Sequence, residues 1–185
     1  MPTMKTKSMF LSCAIDAKEG RTGITCDMPG VFMQATMDET VIMCLAGPLV
    51  IPLAKVDPKL HNKYLVTEKG KPVMCARLSK AFCGTPQAAS LFWKNLTGLL
   101  AEWGFELNPC DACVANKTIN GNQCAIVWHV DNLKISHVDA QVVEDTLVQL
   151  NKQYRKRAPL TVTRGNMHVC LGITIDYTTP GKVAI

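Results

Sequence analysis

The sequence predicts an α+β fold in which helices cover one face of an antiparallel sheet. Three observations support this class. Apolar residues make up 48% of the 185-residue chain and charged residues 19%, which is typical of a folded domain with its own core. Strand-like apolar runs alternate with two amphipathic helical patterns, as expected for helices packed on a sheet. The dipeptide Asn120-Gly121 stands between two apolar runs and is a strong hairpin signal.

The first predicted strand covers residues 24–26 and ends at Asp27. The run Ile-Thr-Cys suits a buried strand, and Pro29-Gly30 then forces the chain to leave the sheet. A carboxylate is therefore expected at the end of this strand.

A small β-rich unit is predicted for residues 41–77. A glycine turn between two apolar runs indicates a hairpin, and the prolines limit helix length. The expected elements are a strand at 41–45, a short helix at 48–55 broken by Pro52, and a hairpin formed by 64–66 and 73–76 around Gly70.

Two amphipathic helices and two hairpins are predicted for the remainder. Proline suits a first helical turn, glycine suits the position after a last turn, and aspartate suits an N-cap. The expected elements are a helix from Thr85-Pro86 to Trp103 ended by Gly104, a hairpin of 113–115 and 124–128, a helix after Asp139, and a hairpin of 169–171 and 173–175.

Cysteine usage and hydropathy limit the cellular setting. Most of the nine cysteines lie in apolar runs, where cysteine behaves as a small buried residue, so a reducing compartment without a disulfide framework is expected. Cys110 and Cys113 have zinc-ligand spacing, but no second pair follows them at a suitable distance. The longest apolar stretch, residues 41–54, is shorter than the roughly 20 residues of a membrane helix, so no membrane span is expected.

Asp27 and Asp131 are the residues most suited to a catalytic or metal-binding role. Each follows a strongly apolar strand, and carboxylates on neighbouring strands could bind the same divalent cations. Two magnesium ions held in this way activate a 3′-hydroxyl and stabilise a leaving pyrophosphate. Aspartate also begins ordinary turns, and the spacing alone leaves that alternative open.

Four segments, in order over about 150 residues, resemble the motifs of copia-type retrotransposon reverse transcriptases. Each segment alone is a weak signal, whereas the ordered set is specific. The segments are Asp27 to Phe32, similar to the first catalytic motif; 78–87, similar to the segment before the template-contacting helix; His129 to Asn132, similar to the Tyr-Val-Asp-Asp turn; and 169–173, similar to the primer-grip hairpin.

The resemblance implies a reverse transcriptase-like domain over residues 1–185, with a ferredoxin-like or RRM-like polymerase palm. Its parts would be the palm at about 20–40 and 78–165, a fingers-like insertion at about 41–77, and the start of the primer grip or thumb at about 166–185. The basic fingers strands and a ribonuclease H segment are not recognised in the sequence, so the domain is expected to be truncated at both ends.

The resemblance also implies a role for individual residues. Asp27 and Asp131 would be the catalytic metal ligands, with Asn132 beside them and the Met28 carbonyl as a further ligand. Phe32 would be the steric gate that excludes a 2′-hydroxyl, and a core phenylalanine is the alternative.

Four further residues would contact substrate or nucleic acid. Gln87 would approach the templating pair, and Gly84 would let backbone come close to nucleic acid, although it also fits a simple loop. Leu171 and Gly172 would contact the primer strand.

Two positions depart from the family pattern. His129 replaces the tyrosine of the turn, and Asn132 replaces its second aspartate. Asparagine offers one neutral carbonyl oxygen, so a two-metal site would lose one of its three carboxylates. Asn132 and the expected truncation together predict weak or absent polymerisation by this chain.

The family would bring two Mg²⁺ ions, deoxynucleoside triphosphates and an RNA or DNA template-primer. Other parts of the polyprotein would be partners, and the cytoplasmic virus-like particle of the element would be the location. The net charge of +5 suits a polyanion without being specific to one. A decayed, non-catalytic remnant that at most binds nucleic acid is the first alternative. A ferredoxin-like RNA-binding module is the second, although 6% aromatic residues is low for a stacking surface.

Overall fold

The computed structural model describes residues 2–82, 85, 87–155 and 158–185, and at Gln34 it describes the backbone alone. Helices and strands alternate through this part of the chain. The predicted helix start at Pro86 lies outside these residues. The α-helices are α1 Thr6–Glu19, α2 Val50–Val56, α3 Pro58–His61, α4 Ala88–Glu102 and α5 Ala140–Tyr154. The strands are β1 Thr22–Asp27, β2 Ile42–Ala46, β3 Leu65–Glu68, β4 Lys71–Arg77, β5 Glu106–Asn108, β6 Asp111–Ile119, β7 Asn122–His129, β8 Asn132–His137, β9 Thr161–Thr163, β10 Met167–Cys170 and β11 Ile173–Asp176.

The largest sheet has six strands in the order β5-β6-β7-β8-β1-β9, and each neighbouring pair is antiparallel. β1 lies between β8 and β9, although both follow it in sequence by a long interval. The mixed α+β class with antiparallel sheets, predicted from the sequence, is confirmed. None of the described helices combines the length and the apolar composition that a membrane-spanning segment needs.

One apolar core joins this sheet to α4 and α5. Ile24, Ile126 and Ile135 come from three neighbouring strands and are at most 2% exposed. Phe92 of α4 meets Tyr154 of α5 edge to face, with ring centroids 6.1 Å apart. The amphipathic patterns of the two helices are explained by this shared core.

α1 packs on the opposite face of the sheet, so the expectation of helices on one face is incomplete. The side chain of Lys134 in β8 points to this face, where its Nζ donates to Ser12 Oγ at 2.7 Å and forms an ion pair with Asp16. Burial of Lys134 and Asp16 is nearly complete, with side-chain exposures of 5% and 2%.

α1 was not predicted from the sequence because its inward face carries a charge. Met9, Cys13, Asp16 and Ala17 are its buried residues, and their spacing is that of one helical face. An aspartate on such a face interrupts the apolar pattern, and the sequence does not reveal its partner on a distant strand.

The insertion forms a separate three-stranded sheet in the order β2-β4-β3. Val50 and Ala54 of α2 pack against Met74 of β4 and form a small core of their own. The prediction that Pro52 breaks the helix is wrong, because Pro52 is the third residue of α2. The N–H groups of a first turn have no intrahelical acceptor, so proline removes no hydrogen bond there.

The hairpins predicted at glycine turns are confirmed. Each of these turns places a residue and the following glycine in the left-handed region, which suits the twist of a two-residue hairpin. The φ angles are 48° and 74° at Lys69-Gly70, 52° and 77° at Asn120-Gly121, and 55° and 73° at Leu171-Gly172.

Replacing Asp139 by alanine is expected to lower the free energy of unfolding by about 1 kcal/mol. Asp139 is the N-cap of α5, and its Oδ1 accepts from the N–H of Gln141 at 2.9 Å. Urea denaturation measures the change. Gln149→Ala, at an exposed position of the same helix, is the matched control, and an equal loss in both variants would contradict the capping role.

Candidate active site

β1 and the turn between β7 and β8 bring Asp27 and Asp131 together. Asp27, the last residue of β1, pairs in register with Asn132, the first residue of β8. The N–H of Met28 donates to the carbonyl of Asp131 at 3.0 Å, so the chain after β1 is bonded directly to the turn. Asp27 and Asp131 therefore lie close together, as two ligands of one cation site would need to.

Burial and the charge of Asp131 both act on the carboxyl group of Asp27. Burial raises the pKa of Asp27 above its ordinary 3.8, and the negative charge of Asp131 raises it further. Nδ2 of Asn132 donates to Oδ1 of Asp131 at 3.2 Å, which orients that carboxylate. A cation would relieve the repulsion between two such carboxylates.

The turn that carries Asp131 has a strained backbone. Val130 has φ 57°, a region that β-branched residues seldom adopt. The three glycine hairpins also place a non-glycine residue in this region, but Lys69, Asn120 and Leu171 are not β-branched, and the Val130-Asp131 turn has no glycine. Such strain costs on the order of 1–3 kcal/mol and is concentrated at functional sites.

Met28 and Phe32 extend the site away from the acidic pair. Met28 as a whole residue is 1% exposed and belongs to the core, and its N–H is already bonded to the carbonyl of Asp131. Phe32 lies in the short 3-10 helix Val31–Gln34, and its ring meets Phe92 edge to face at 5.9 Å. Because Phe32 is half-buried, part of its ring remains accessible beside the core.

The other predicted contact residues lie on different elements. Gln87 is the N-cap of α4, and its Nε2 is 3.4 Å from Oε2 of Glu39. Leu171 and Gly172 form the turn between β10 and β11, and Gly84 lies outside the described residues.

Within the described part of the chain, no hydrogen bond joins Gln87, Leu171 or Gly172 to the acidic pair. The hairpin of β10 and β11 nevertheless contacts β1, since Nδ1 of His168 is 3.3 Å from Oγ1 of Thr25.

The acidic pair lacks a third ligand of the usual kind. Among the described residues, no group of three or more His, Cys, Asp or Glu side chains could hold a metal ion. The position beside Asp131 holds Asn132, whose side chain is neutral. The donor set for a cation is therefore two carboxylates with amide and backbone oxygens beside them.

Sequence reasoning missed the ion pair between Lys134 and Asp16. Lys134 is two residues after Asn132, on the same strand as the end of the turn. It alternates with Leu133 and Ile135, a pattern typical of a strand with one solvent-exposed face. That face is buried by α1 and also by the later part of the chain, since His168 contacts Thr25, the partner of Lys134 in register, and Tyr177 reaches Asp16. Because both are distant in sequence, no local signal could have identified the pair.

A solved chain shares this fold. It belongs to the structure of apo telomerase from Candida tropicalis, with a TM-score of 0.50 and 13% sequence identity over 98% of the present chain. The alignment covers 36% of the telomerase chain, so the present chain spans about a third of that length. No protein-family model matches the sequence, and no curated protein matches it significantly.

Replacing Asp27 by asparagine is expected to stabilise the protein at neutral pH and to leave its stability unchanged in acid. A raised pKa in the folded state means that ionised Asp27 opposes folding. Below the ordinary pKa of 3.8 the carboxyl is neutral in both states, and the favourable contribution of its protonated form is fully present. That contribution is lost as the pH rises through the raised pKa.

Urea denaturation between pH 3.5 and 7 measures this difference. The gain from Asp27→Asn should be absent at the acid end and should grow as the pH rises. Asp38→Asn, at an exposed position, is the matched control and should not change stability at either end. A gain of the same size at both ends would contradict the assignment to Asp27 ionisation.

Proposed function

We propose that the chain is the reverse transcriptase domain of a copia-type retrotransposon polyprotein and carries out two-metal nucleotidyl transfer weakly. The observation that carries this proposal is the pairing of Asp27 with the turn at Asp131, from elements more than a hundred residues apart. The fold that the chain shares with a telomerase, a polymerase related to reverse transcriptases, supports it. The ordered motifs supply the finer family assignment.

The topology suits a polymerase palm. The strands β7-β8-β1-β9 lie side by side, and the chain passes through α4 between β1 and β7 and through α5 between β8 and β9. This is a ferredoxin-like order, with both aspartates at the same end of adjacent strands. The sheet of β2, β3 and β4 would be the fingers-like insertion, and β10 with β11 the primer-grip hairpin.

Asp27 and Asp131 would hold the magnesium ions, because two adjacent hard carboxylates fit that cation. When bound, Mg²⁺ would activate the primer hydroxyl and neutralise charge on the triphosphate. Asn132 orients Asp131 through its amide, and the half-buried ring of Phe32 would face the sugar of the nucleotide. Template-primer and deoxynucleoside triphosphates are the proposed partners.

A non-catalytic remnant is the second candidate, and one observation favours it. Asn132 leaves two carboxylates where the family pattern has three, and no third acidic side chain completes the site within the described residues. Such a remnant would retain the fold and would bind nucleic acid only through electrostatic attraction between basic side chains and the phosphate backbone.

Primer extension on an RNA template with magnesium tests the proposal. We expect slow, magnesium-dependent synthesis that is abolished in Asp131→Ala and retained in Asp145→Ala, whose aspartate is exposed on α5. Wild-type protein that neither extends a primer nor binds magnesium would support the remnant. Synthesis that persists in Asp131→Ala would contradict the assignment of the site.

A further inference from the structure

Two cysteines face each other across the small sheet of the insertion. Cys44 of β2 and Cys75 of β4 are partners in the antiparallel register, and their Sγ atoms are 2.9 Å apart. Cys44 is exposed and Cys75 is partly exposed, so both can be reached by a soluble oxidant. The sequence gives no sign of this pairing, because the two residues are far apart along the chain.

The hydrogen-bonding pattern between β2 and β4 favours a disulfide bond between Cys44 and Cys75. At the end of the same ladder, the N–H of Leu78 donates to the carbonyl of Val41 at 2.9 Å, so these two residues are a hydrogen-bonded pair. Hydrogen-bonded and non-hydrogen-bonded pairs alternate along an antiparallel ladder, which makes Cys44 and Cys75 a non-hydrogen-bonded pair. Their Cα atoms are then expected about 4.5 Å apart, which falls in the range of about 4.4–6.8 Å that disulfides span.

The cysteines also lie on the open face of this sheet. Leu45 and Met74 point to the other face, where Met74 packs against α2. Because side chains alternate between faces, Cys44 and Cys75 are directed away from the small core. A bond between them would not displace any core side chain.

We propose that Cys44 and Cys75 form a reversible, redox-responsive disulfide that ties β2 to β4. The oxidant is a small disulfide such as oxidised glutathione. The Cys44 thiolate attacks one of its sulfurs and releases one glutathione thiolate, and Cys75 then attacks Cys44 Sγ and releases the second. Two protein thiols are oxidised, one glutathione disulfide is reduced to two thiols, and the protein's two thiol protons pass to the glutathiones.

The bond would restrain the segment that connects two predicted substrate contacts. β2 begins ten residues after Phe32, and β4 ends ten residues before Gln87. Linking the two strands closes the loop that contains α2, α3 and β3, which lowers the entropy of its opened states. The local opening of this sheet should therefore become rarer after oxidation.

Oxidation of the folded, full-length chain with glutathione disulfide tests the proposal. Peptide mapping by mass spectrometry should find the Cys44 peptide joined to the Cys75 peptide, with a mass lower by two hydrogens, and dithiothreitol should reverse the link. Cys44→Ser and Cys75→Ser should each abolish it, whereas Cys110→Ser, at another exposed cysteine, should not. Circular dichroism of each variant verifies folding.

Hydrogen exchange supplies a second measurement. Amides of β2 and β4 should exchange more slowly in the oxidised protein, with β7 and β8 unchanged. The proposal is overturned if Cys44 and Cys75 end as separate glutathione adducts, if the link joins two chains, or if it forms only in denaturant. Unchanged exchange in β2 and β4 would likewise overturn the restraint.

Discussion

Replacing Lys134 by methionine is expected to lower the free energy of unfolding by about 3–5 kcal/mol. The substitution keeps an unbranched side chain one atom shorter than that of lysine and leaves Asp16 buried without its cation. Within the described residues, Oδ1 of Asp16 has no hydrogen-bond donor, and the hydroxyl of Tyr177 is 3.5 Å from Oδ2. Because whole domains are stable by only about 5–15 kcal/mol, this loss would be visible as a large fall in the urea midpoint.

A double variant separates charge from packing. Asp16→Leu combined with Lys134→Met removes both charges, so we expect it to recover most of the stability that Lys134→Met loses. Lys152→Met, at an exposed position of α5, is the matched control and should change stability by less than about 0.5 kcal/mol. A double variant as unstable as the single one would contradict the explanation by an unpaired charge.

Replacing Asn132 by aspartate is expected to increase magnesium affinity about tenfold or more. A unit charge about 5 Å from a divalent cation adds between one and two kcal/mol even at the dielectric constant of water, by Coulomb's law. Without magnesium, the third carboxylate should destabilise the protein, because it repels Asp131 and replaces the amide that donates to it. Added magnesium should reverse that loss, since a ligand that binds only the folded state stabilises it.

Isothermal titration with magnesium chloride and thermal melts with and without the ion measure the two effects. The matched control is Asn122→Asp, which adds the same charge at an exposed position of β7. Its magnesium affinity should stay at the wild-type value. If the wild type, Asn132→Asp and Asn122→Asp bind magnesium with equal affinity, the loss of a metal site has causes other than Asn132.

Local turn chemistry explains what the sequence could predict of the fold. Gly70 and Gly121 mark hairpins because two-residue turns need left-handed backbone, which glycine adopts without strain. α4 and α5 were predictable because their buried faces carry no charged residue. α1 was not, since Asp16 on its buried face is neutralised by Lys134 on a strand more than a hundred residues away.

The candidate site, like the fold, could be predicted from the sequence only in part. Asp27 and Asp131 could be selected as strand-end carboxylates, but their adjacency depends on the order of strands, which short-range patterns do not contain. The resemblance to a family supplied that expectation, and the register of β1 with β8 agrees with it. The strain at Val130 had no signal in the sequence, because valine is an ordinary strand residue.

The central position of β1 has a consequence for how the protein is made. Asp27 pairs with Asn132 on one side and Thr161 on the other, and both residues leave the ribosome long after β1 does. Long-range pairing of this kind folds slowly, because a large loop must close before any contact compensates for its entropy. The apolar β1 segment therefore waits unpaired during synthesis, which makes the nascent chain dependent on protection from aggregation. The acidic pair cannot form before β8 has left the ribosome.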